Sequence, residues 1–349
     1  MKAFDRMPSH IVAADGWNAE TGARSDMTAR ENETARLRLA RHQIAAKQTS
    51  EARVLLDQLQ ADLSEKSVQW LGPLTTLGLP RKLHSAYLKL AKAEGDVIAR
   101  IGLQYNLVPL AERIEKHFHI DDAARRHMAT FNAQMVPRVI HQIWIGAKPV
   151  PPTVSAWQRH AAATGYGYRL WREDDIRAIG VFDDPVFKAF LDAGDYPGAV
   201  DVARYLILAL EGGVYLDCDW YPARMDTGFD TYLPMVGLSA LAEPTPRNLG
   251  GESLLLTNSL IAAPPGHLLF RHLVDALPAV MAELPGAPAW WATGPVIFTL
   301  LARMTAVTIP DTAFVAANLP VNATMADALD AARKAEAARS GFLIAWKCW

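Results

Sequence analysis

Residues 210–220, Leu-Glu-Gly-Gly-Val-Tyr-Leu-Asp-Cys-Asp-Trp, contain the pattern that decides the fold of this chain. The pattern indicates the end of a buried helix, a glycine break, a short apolar strand and two carboxylates where that strand stops. Because successive strand side chains point to opposite faces, we expect Asp217 and Asp219 on one face and Cys218 on the other. Two carboxylates in this position favour a hard divalent cation, Mn²⁺ or Mg²⁺.

The composition of the whole chain limits the function classes. With 349 residues, half of them hydrophobic, the chain can bury a large core and form one large domain with an appendage, or two domains. The formal net charge of -2 provides no general attraction to nucleic acid, so no nucleic-acid partner is expected. Two cysteines, Cys218 and Cys348, are too few for a disulfide framework and fit a reducing compartment.

The sequence contains no apolar run of signal-peptide length near its start and none long enough to span a bilayer. We therefore expect a soluble, cytoplasmic protein. Association of the first part of the chain with a membrane surface stays open.

Three regions are predicted: a loose arm over residues 1–25, a helical region over 26–135 and an α/β domain over 136–349. The helical region repeats apolar residues at helix spacing, as at Leu55, Leu59 and Leu63. Up to residue 130 the chain carries 19 Lys and Arg against 16 Asp and Glu, a difference too small to indicate a binding surface. Either this region packs as a helical bundle with solvated charge, or it docks on a membrane or a partner protein.

Strands and helices alternate after residue 137. Strands are predicted over 138–146 and 166–171, and helices over 154–163, 174–178, 185–193 and 197–210. This order is typical of an α/β fold with a mainly parallel sheet covered by helices on both faces. It places the carboxylate pair at the carboxyl end of a strand, where open α/β sheets bind ligands.

The helix over 197–210 is apolar nearly all round, which predicts burial, yet it carries Asp201 and Arg204. Residues three apart lie on one face of a helix. Because an unpaired buried charge is costly, the two side chains either neutralise each other or reach a polar cavity that binds a ligand.

Taken together, these segments resemble the DXD-motif sugar-transferase family (glycosyltransferase family 32-like), which includes mannosyltransferases and capsular-polysaccharide transferases. The catalytic domains of large clostridial glucosylating toxins are more distant relatives. The resemblance covers about residues 137–299. It is carried by Val-Ile-His-Gln-Ile-Trp-Ile-Gly at 139–146, Asp-Val-Ala-Arg at 201–204, the stretch that ends in Asp217 and Asp219, the Asn258 segment and Thr-Gly-Pro at 293–295.

The resemblance implies a GT-A-type nucleotide-sugar-binding domain and a hexosyltransferase. Asp217 and Asp219 would hold Mn²⁺ or Mg²⁺ on the diphosphate of a UDP- or GDP-sugar. Asp201 and Arg204 would bond sugar or ribose hydroxyls. The family also implies retention of configuration at the sugar carbon and a role in polysaccharide biosynthesis, with a glycan, a lipid-linked saccharide or a protein as the acceptor.

Further residues of the donor site follow from the same resemblance. Tyr215 would line the pocket, Trp144 would stack on the base, and Asn258 belongs to the family's later motif. Trp349 matches an aromatic terminus that relatives fold over the diphosphate, but the neighbouring His and Ser of that motif are absent here. Val200 also replaces a Ser that is frequent in the family.

Several other residues have a structural interpretation as well as a functional one. His141 lies on an apolar strand and is interpreted as a core histidine rather than a ligand, and Cys218 as a small buried hydrophobe. Trp290 and Trp291 fit either a sugar-stacking platform or simple packing.

The sequence therefore predicts a metal-dependent glycosyltransferase. One alternative is a catalytically silent protein that keeps the fold and binds a partner through its helical half. A second alternative is a metal-dependent phosphodiesterase or nucleotidyl enzyme, which is expected to show more His or carboxylate ligands in this segment.

Overall fold

The computed structural model describes residues 19–242 and 255–348. The chain divides into two compact units, Met1–Leu103 and Gln104–Trp349. No helix in the described part of the chain is both long enough and apolar enough to cross a membrane.

In its described part the first unit is helical apart from its connecting loops, one of which contains an isolated antiparallel bridge between Leu74 and Pro80. Its core is formed by apolar residues that recur at helix spacing on three helices, with Leu37, Leu56 and Leu83 buried at the centre. The helices are α1 Ala19–Ala45, α2 Thr49–Ala61, α3 Val68–Leu71, α4 Arg81–Glu94 and α5 Val97–Leu107, the last of which crosses the division.

Two predicted boundaries differ from the structure. Helix α1 begins at Ala19, so residues 19–25 of the predicted arm are helical, and residues 1–18 lie outside the described part. The compact units meet at 103/104 rather than at 135/136. The helices between these positions belong to the second unit because Ile114, Phe118 and Met128 pack into its core.

The second unit combines helices with two sheets. Its helices are α6 Ala111–Glu115, α7 Asp122–Phe131, α8 Pro152–Thr164, α9 Glu173–Ala178, α10 Pro185–Asp192, α11 Tyr196–Glu211, α12 Leu268–Glu283, α13 Ala289–Ala292, α14 Pro295–Ala302 and α15 Met325–Ala338. Its strands are β1 Val139–Ile143, β2 Gly167–Trp171, β3 Gly213–Leu216, β4 Trp220–Pro222, β5 Ser239–Ala242, β6 Leu256–Ala263, β7 Val315–Asn318 and β8 Leu343–Ala345. Short 3₁₀ turns occur at Glu65–Ser67, Val181–Asp183, Phe229–Thr231 and Thr312–Phe314.

The larger sheet has the strand order β2-β1-β3-β6-β5. Strand β1 pairs in parallel with β2 and β3, whereas β6 is antiparallel to both β3 and β5. Four of the five strands therefore run in one direction. The predicted α/β class, with a mixed and mainly parallel sheet after a helical region, is confirmed.

Helices cover both faces of this sheet. Tyr215 on β3 packs in the core that contains α11 and α12, whereas Val214 and Leu216 pack on the other side in the core that contains Trp157 of α8. Because both faces are buried, the strands are apolar runs rather than alternating ones.

The glycine pair before β3 brings α11 close to the sheet. Both residues have positive φ, 63° at Gly212 and 95° at Gly213. A Cβ atom on Gly213 would lie 2.8 Å from both the imidazole Nε2 of His141 and the carbonyl oxygen of Val139. Only glycine satisfies the backbone conformation and the close approach together.

The smaller sheet has the order β4-β8-β7 and joins the end of the described chain to the segment after β3. Strand β8 pairs antiparallel with β4, so that Ala345 lies opposite Trp220. This pairing carries the residues after β8 to the carboxyl end of β3.

Candidate active site

The two carboxylates lie in the turn between β3 and β4. Strand β3 ends at Leu216, so Asp217 and Asp219 follow the strand and do not belong to it. The turn is held by backbone hydrogen bonds on both sides: Asp217 N donates to the Ser259 carbonyl at 2.8 Å, and Trp346 N donates to the Asp219 carbonyl at 2.7 Å. The backbone of the turn is therefore fixed before any ligand binds.

A cavity of about 430 Å³ opens beside this turn. It lies at the carboxyl ends of β1 and β3, as expected for an open α/β sheet. Its walls comprise Ile143, Trp144, Ile145, Gly146, Ala147, Lys148, Tyr196, Pro197, Val200, Arg204, Tyr215, Asp217, Cys218, Asp219 and Lys347.

The carboxylates of the turn repel each other. Burial and the nearby Asp217 raise the pKa of Asp219 to about 7, and the ammonium of Lys347 opposes this shift. Asp217 is better compensated, because it accepts a hydrogen bond from the Tyr215 hydroxyl at 2.7 Å and lies 3.2 Å from Nη1 of Arg204. The turn thus concentrates negative charge that a bound cation would stabilise.

A buried polar network lies behind the cavity. Asp201 accepts hydrogen bonds from Asn258 Nδ2 at 2.8 Å and from Thr293 Oγ1 at 2.9 Å, and it forms an ion pair with Arg204 at 2.9 Å. The Tyr205 hydroxyl accepts from the same amide of Asn258 and donates to the Thr293 carbonyl. The carboxylate of Asp201 is therefore held by three protein donors.

Arg204 connects this network to the cavity. Its guanidinium contacts Asp201 and Asp217, donates to the Asn258 carbonyl and lies 4.6 Å from the centre of the Tyr215 ring. Burial alone lowers the pKa of Arg204, but Asp217, Tyr215 and Asp201 raise it above its usual value, so the side chain stays charged. Burial raises the pKa of Asp201 to about 6 against the opposing effect of Arg204.

The structure brings together most of the predicted site. Trp144, Tyr215, Arg204, Asp217 and Asp219 all line the cavity. The indole Nε1 of Trp144 donates to the Lys148 carbonyl at 3.0 Å, which fixes the orientation of the ring.

Two predicted residues do not line the cavity. Asp201 and Asn258 belong to the buried network and are 6% and 5% exposed. Trp349 lies outside the described residues.

Two cationic residues of the cavity were not predicted, Lys148 and Lys347. Lys347 is brought to Asp219 by the pairing of β8 with β4, which no local pattern reveals. Lys148 lies in the loop after β1, shortly after Gly146. A cation in a loop at the end of a strand is the sequence feature that could have identified it.

The remaining candidates have structural surroundings. His141 is fully buried, and its Nδ1 accepts a hydrogen bond from the Trp171 indole at 3.0 Å. Cys218 packs with Trp144 and Val154, and its thiol donates to the Ile143 carbonyl. Trp290 and Trp291 both pack in the core around α11 and α12.

The two carboxylates fit a divalent cation whose remaining coordination positions are filled by substrate. Asp217 and Asp219 supply two carboxylates, and within residues 19–242 and 255–348 no three His, Cys, Asp or Glu side chains converge on one point. Mg²⁺ and similar hard cations are commonly held by one or two carboxylates together with phosphate oxygens and water. The residues present therefore suit a cation carried with a phosphorylated ligand.

No family model matches this chain. It is 33% identical over 90 residues to an uncharacterized glycosyltransferase of Acanthamoeba polyphaga mimivirus, which covers 24% of this chain and 36% of the relative. It is 26% identical over 190 residues to inositol phosphoceramide mannosyltransferase 3 of Schizosaccharomyces pombe, covering 52% of this chain and 49% of the relative.

Both of these curated relatives are named glycosyltransferases or mannosyltransferases. The chain spans at most about half the length of either one. Among solved structures, a chain described as PaToxG glycosyltransferase superposes with a TM-score of 0.39 at 17% identity, covering 55% of this chain and 76% of that one.

Proposed function

We propose that this protein is a metal-dependent glycosyltransferase that moves a sugar from a nucleoside-diphosphate sugar to an acceptor. The observation that carries the proposal is the cavity in which two carboxylates, three cationic side chains and an indole meet. The names of the curated relatives support sugar transfer in general. A catalytically silent binding module has no need for a carboxylate pair in which burial and Asp217 raise the pKa of Asp219.

Asp217 and Asp219 are the residues that would hold the metal, with Mn²⁺ or Mg²⁺ as the candidates. When bound, such a cation neutralises the charge that develops on the departing diphosphate. Tyr215 orients Asp217 through its hydroxyl hydrogen bond, so one metal ligand is preorganised.

The cations of the cavity suit the diphosphate. Lys347 lies near Asp219 and Lys148 lies in the loop after β1, so both can contact phosphate oxygens that the metal does not hold. Arg204 lines the same cavity and is fixed by its ion pairs. Fixed positive charge near the leaving group stabilises the transition state without reorganisation.

Trp144 provides an aromatic face for the base of the nucleotide, and stacking on such a face is worth about 1–3 kcal/mol. Arg204, which lines the same cavity, would contact the sugar or ribose hydroxyls. A donor hydroxyl that approaches Asp201 competes with three protein partners, Arg204, Asn258 and Thr293. We therefore propose that Asp201 and Asn258 act first as positioning residues for Arg204.

Retention of configuration and a role in polysaccharide biosynthesis remain proposals that rest on the family resemblance. The acceptor is proposed to be a glycan, a lipid-linked saccharide or a protein. We assign no side chain of the cavity as a nucleophile and propose that the site acts through charge and position.

A screen of UDP- and GDP-sugars tests the function. One or more donors should raise the melting temperature of the protein in the presence of Mn²⁺ and much less in its absence, because selective binding stabilises the folded state. The same donors should be hydrolysed slowly when no acceptor is present. If no sugar nucleotide stabilises the protein and none is hydrolysed, the proposed function is wrong.

A further inference from the structure

A second cavity, of about 270 Å³, opens on the surface of the second unit. It lies between the end of α5 and the start of α6 on one side and helices α13 and α14 on the other. Trp290 of α13 lines it, so we name it the Trp290 cavity. Pockets for drug-sized ligands usually measure about 300–1,000 Å³. The Trp290 cavity is slightly smaller and suits a ligand of the size of a sugar unit.

The Trp290 cavity lies at the same edge of the larger sheet as the carboxylate turn. Leu255, which lines it, comes directly before β6. Because β6 is antiparallel to β3, it begins at the edge where β3 ends. About 10 Å of extended chain separates Leu255 from Asn258 of the buried network. A ligand in the Trp290 cavity is therefore close to the proposed donor site.

The buried network around Asp201 lies between the two cavities. On one side, Arg204 of the network lines the cavity beside the carboxylate turn. On the other side, Thr293, which donates to Asp201, directly follows α13, the helix that carries Trp290. Gly294 fills the remaining space, since a Cβ atom there would lie 3.1 Å from Trp290 Cα and 3.2 Å from Asp201 Oδ2. The network therefore joins the two cavities through direct contacts.

Two aromatic residues line the Trp290 cavity. Trp290 is partly buried against the core of the second unit, and Tyr105 is 59% exposed. Within the described residues the indole N–H of Trp290 has no hydrogen-bond partner. By contrast, the indole donates to a protein acceptor in Trp70, Trp144, Trp157, Trp171, Trp220 and Trp346. An indole with a free N–H offers a sugar an apolar surface for its C–H groups and a donor for a hydroxyl.

Polar residues stand beside the aromatic ones in this wall. Glu112 supplies a carboxylate, Gln104 an amide and Arg303 a guanidinium. The side chain of Arg303 is 65% exposed and makes a long ion pair with Glu115, at 3.9 Å. Planar groups of these three kinds can form two hydrogen bonds at once, which matches neighbouring hydroxyls on a sugar ring. The wall thus combines flat apolar surface with donors and acceptors.

We propose that the Trp290 cavity binds a sugar residue of the acceptor, and that the acceptor is therefore a saccharide chain. The role as an acceptor site rests on the proposed function, whereas the binding of a saccharide does not. An acyl chain in the cavity would cover Gln104, Glu112 and Arg303 without offering them hydrogen bonds, and such burial of polar groups is costly. A saccharide satisfies both the apolar and the polar parts of the wall.

Titration of the full chain with methyl glycosides tests the site. Saturation-transfer NMR should detect binding of methyl α-mannoside, methyl α-glucoside or methyl β-galactoside without donor or metal. Trp290→Leu should weaken this binding by about tenfold, because the aromatic surface is lost. Glu112→Gln should weaken it by about fivefold, since a charged hydrogen-bond acceptor becomes neutral. Tyr105→Leu changes an exposed side chain and should also weaken binding, so the test stands even if Trp290→Leu does not fold.

A second measurement tests the role as an acceptor site. Oligosaccharides built from the sugar that binds should accelerate consumption of the donor by the unmodified protein. Glu112→Gln should raise the KM for the oligosaccharide by about fivefold, the same factor as in the binding titration. An oligosaccharide that binds but leaves donor consumption unchanged would overturn the acceptor role.

Glu336→Gln on α15 is the matched control, because Glu336 is exposed and lies outside the Trp290 cavity. It should bind glycosides like the unmodified protein, and circular dichroism should show that the variants are folded. If sugar nucleotides are hydrolysed but no glycoside binds, or if the cavity variants bind like the control, the saccharide site is refuted and the proposed function stands. If glycosides bind through the cavity but no sugar nucleotide is hydrolysed, the proposed function fails and the saccharide site stands. Binding of dodecanoate in place of glycosides, lost in Tyr105→Leu, would also overturn the proposal.

Discussion

Two carboxylate sites lie at the same edge of the sheet and differ in how their charge is compensated. Asp201 is 6% exposed and has three protein partners, whereas the side chain of Asp217 is 28% exposed and Asp219 carries a raised pKa because of burial and of Asp217. Arg204 contacts both sites. A carboxylate that is held by three protein donors fixes the scaffold, whereas two carboxylates in one turn provide a place for a cation.

Replacing Asp219 should have the largest effect on activity. Asp219→Asn should reduce metal-dependent hydrolysis of the selected donor by about 10³-fold, because one of two metal ligands is lost. The same change should raise the free energy of unfolding by about 1 kcal/mol, since it relieves the repulsion with Asp217. Steady-state kinetics and urea unfolding measure the two quantities, and a variant that is both active and destabilised would contradict the comparison.

Replacing Arg204 should destabilise the fold, whereas replacing Asp219 should stabilise it. Arg204→Met should lower the free energy of unfolding by about 3–5 kcal/mol, because Asp201 is left buried without its ion-pair partner. Lys148→Met is the control, since it removes an exposed cation from the same cavity and should change stability by less than about 0.5 kcal/mol. Equal stability of the two variants in urea unfolding would show that the network is not structural.

Two buried histidines, His141 and His267, are titratable groups without an acidic partner, in contrast to the carboxylates around Arg204. Burial lowers the pKa of His141 and of His267 from 6.5 to about 4, and the Nδ1 atom of each accepts a hydrogen bond, from the Trp171 indole and from Leu269 N respectively. Because the folded pKa lies below the unfolded value, their stabilisation is complete above pH 6.5 and is lost as the pH falls towards 4. Protonation of each histidine should lower the free energy of unfolding by about 3 kcal/mol as the pH falls from 6.5 to 4.

Urea unfolding at a series of pH values measures this effect. His267→Asn keeps a side-chain acceptor at the start of α12 and should flatten the pH dependence by about half. His119→Asn, at an exposed position, should leave it unchanged. A pH profile that His267→Asn does not flatten would rule out this histidine as a source of acid sensitivity.

Replacing Lys347 should have the smallest effect, and it tests whether a cation beside the carboxylate turn contacts phosphate. Lys347→Met should weaken binding of the nucleoside diphosphate by about tenfold, as expected for one charge-assisted hydrogen bond, and should leave binding of the bare nucleoside unchanged. Lys334→Met on α15 removes a lysine whose side chain is 77% exposed and serves as the control. Calorimetric titration measures both ligands, and an equal loss for the nucleoside would refute a phosphate contact.

Local patterns predicted much of the second unit. The apolar runs, the glycine pair and the spacing of Asp217 and Asp219 identified β1, β3 and the carboxylate turn, because those features depend on neighbouring residues. The partners of Asp201 were harder, since Asn258 and Thr293 come from β6 and from the residue after α13. Lys347 was missed for the same reason, because only the pairing of β8 with β4 brings it to Asp219.

The division of the helical region shows a second limit of local patterns. The periodicity of α6 and α7 resembles that of the helices before them, yet Ile114 and Met128 pack into the core of the second unit. Amphipathic spacing identifies the apolar face of a helix, but it does not identify which neighbour covers that face.

The hydrogen bond from Trp346 N to the Asp219 carbonyl has a consequence for the order in which the protein is made. A growing chain that has just left the ribosome with Asp217 and Asp219 has the two carboxylates but lacks the strand Leu343–Ala345 that supports the turn and brings Lys347 to it. The cavity beside the carboxylate turn is therefore completed by a segment that is synthesised after the two carboxylates. Nascent chains should remain unable to use sugar nucleotides until that strand has emerged and paired.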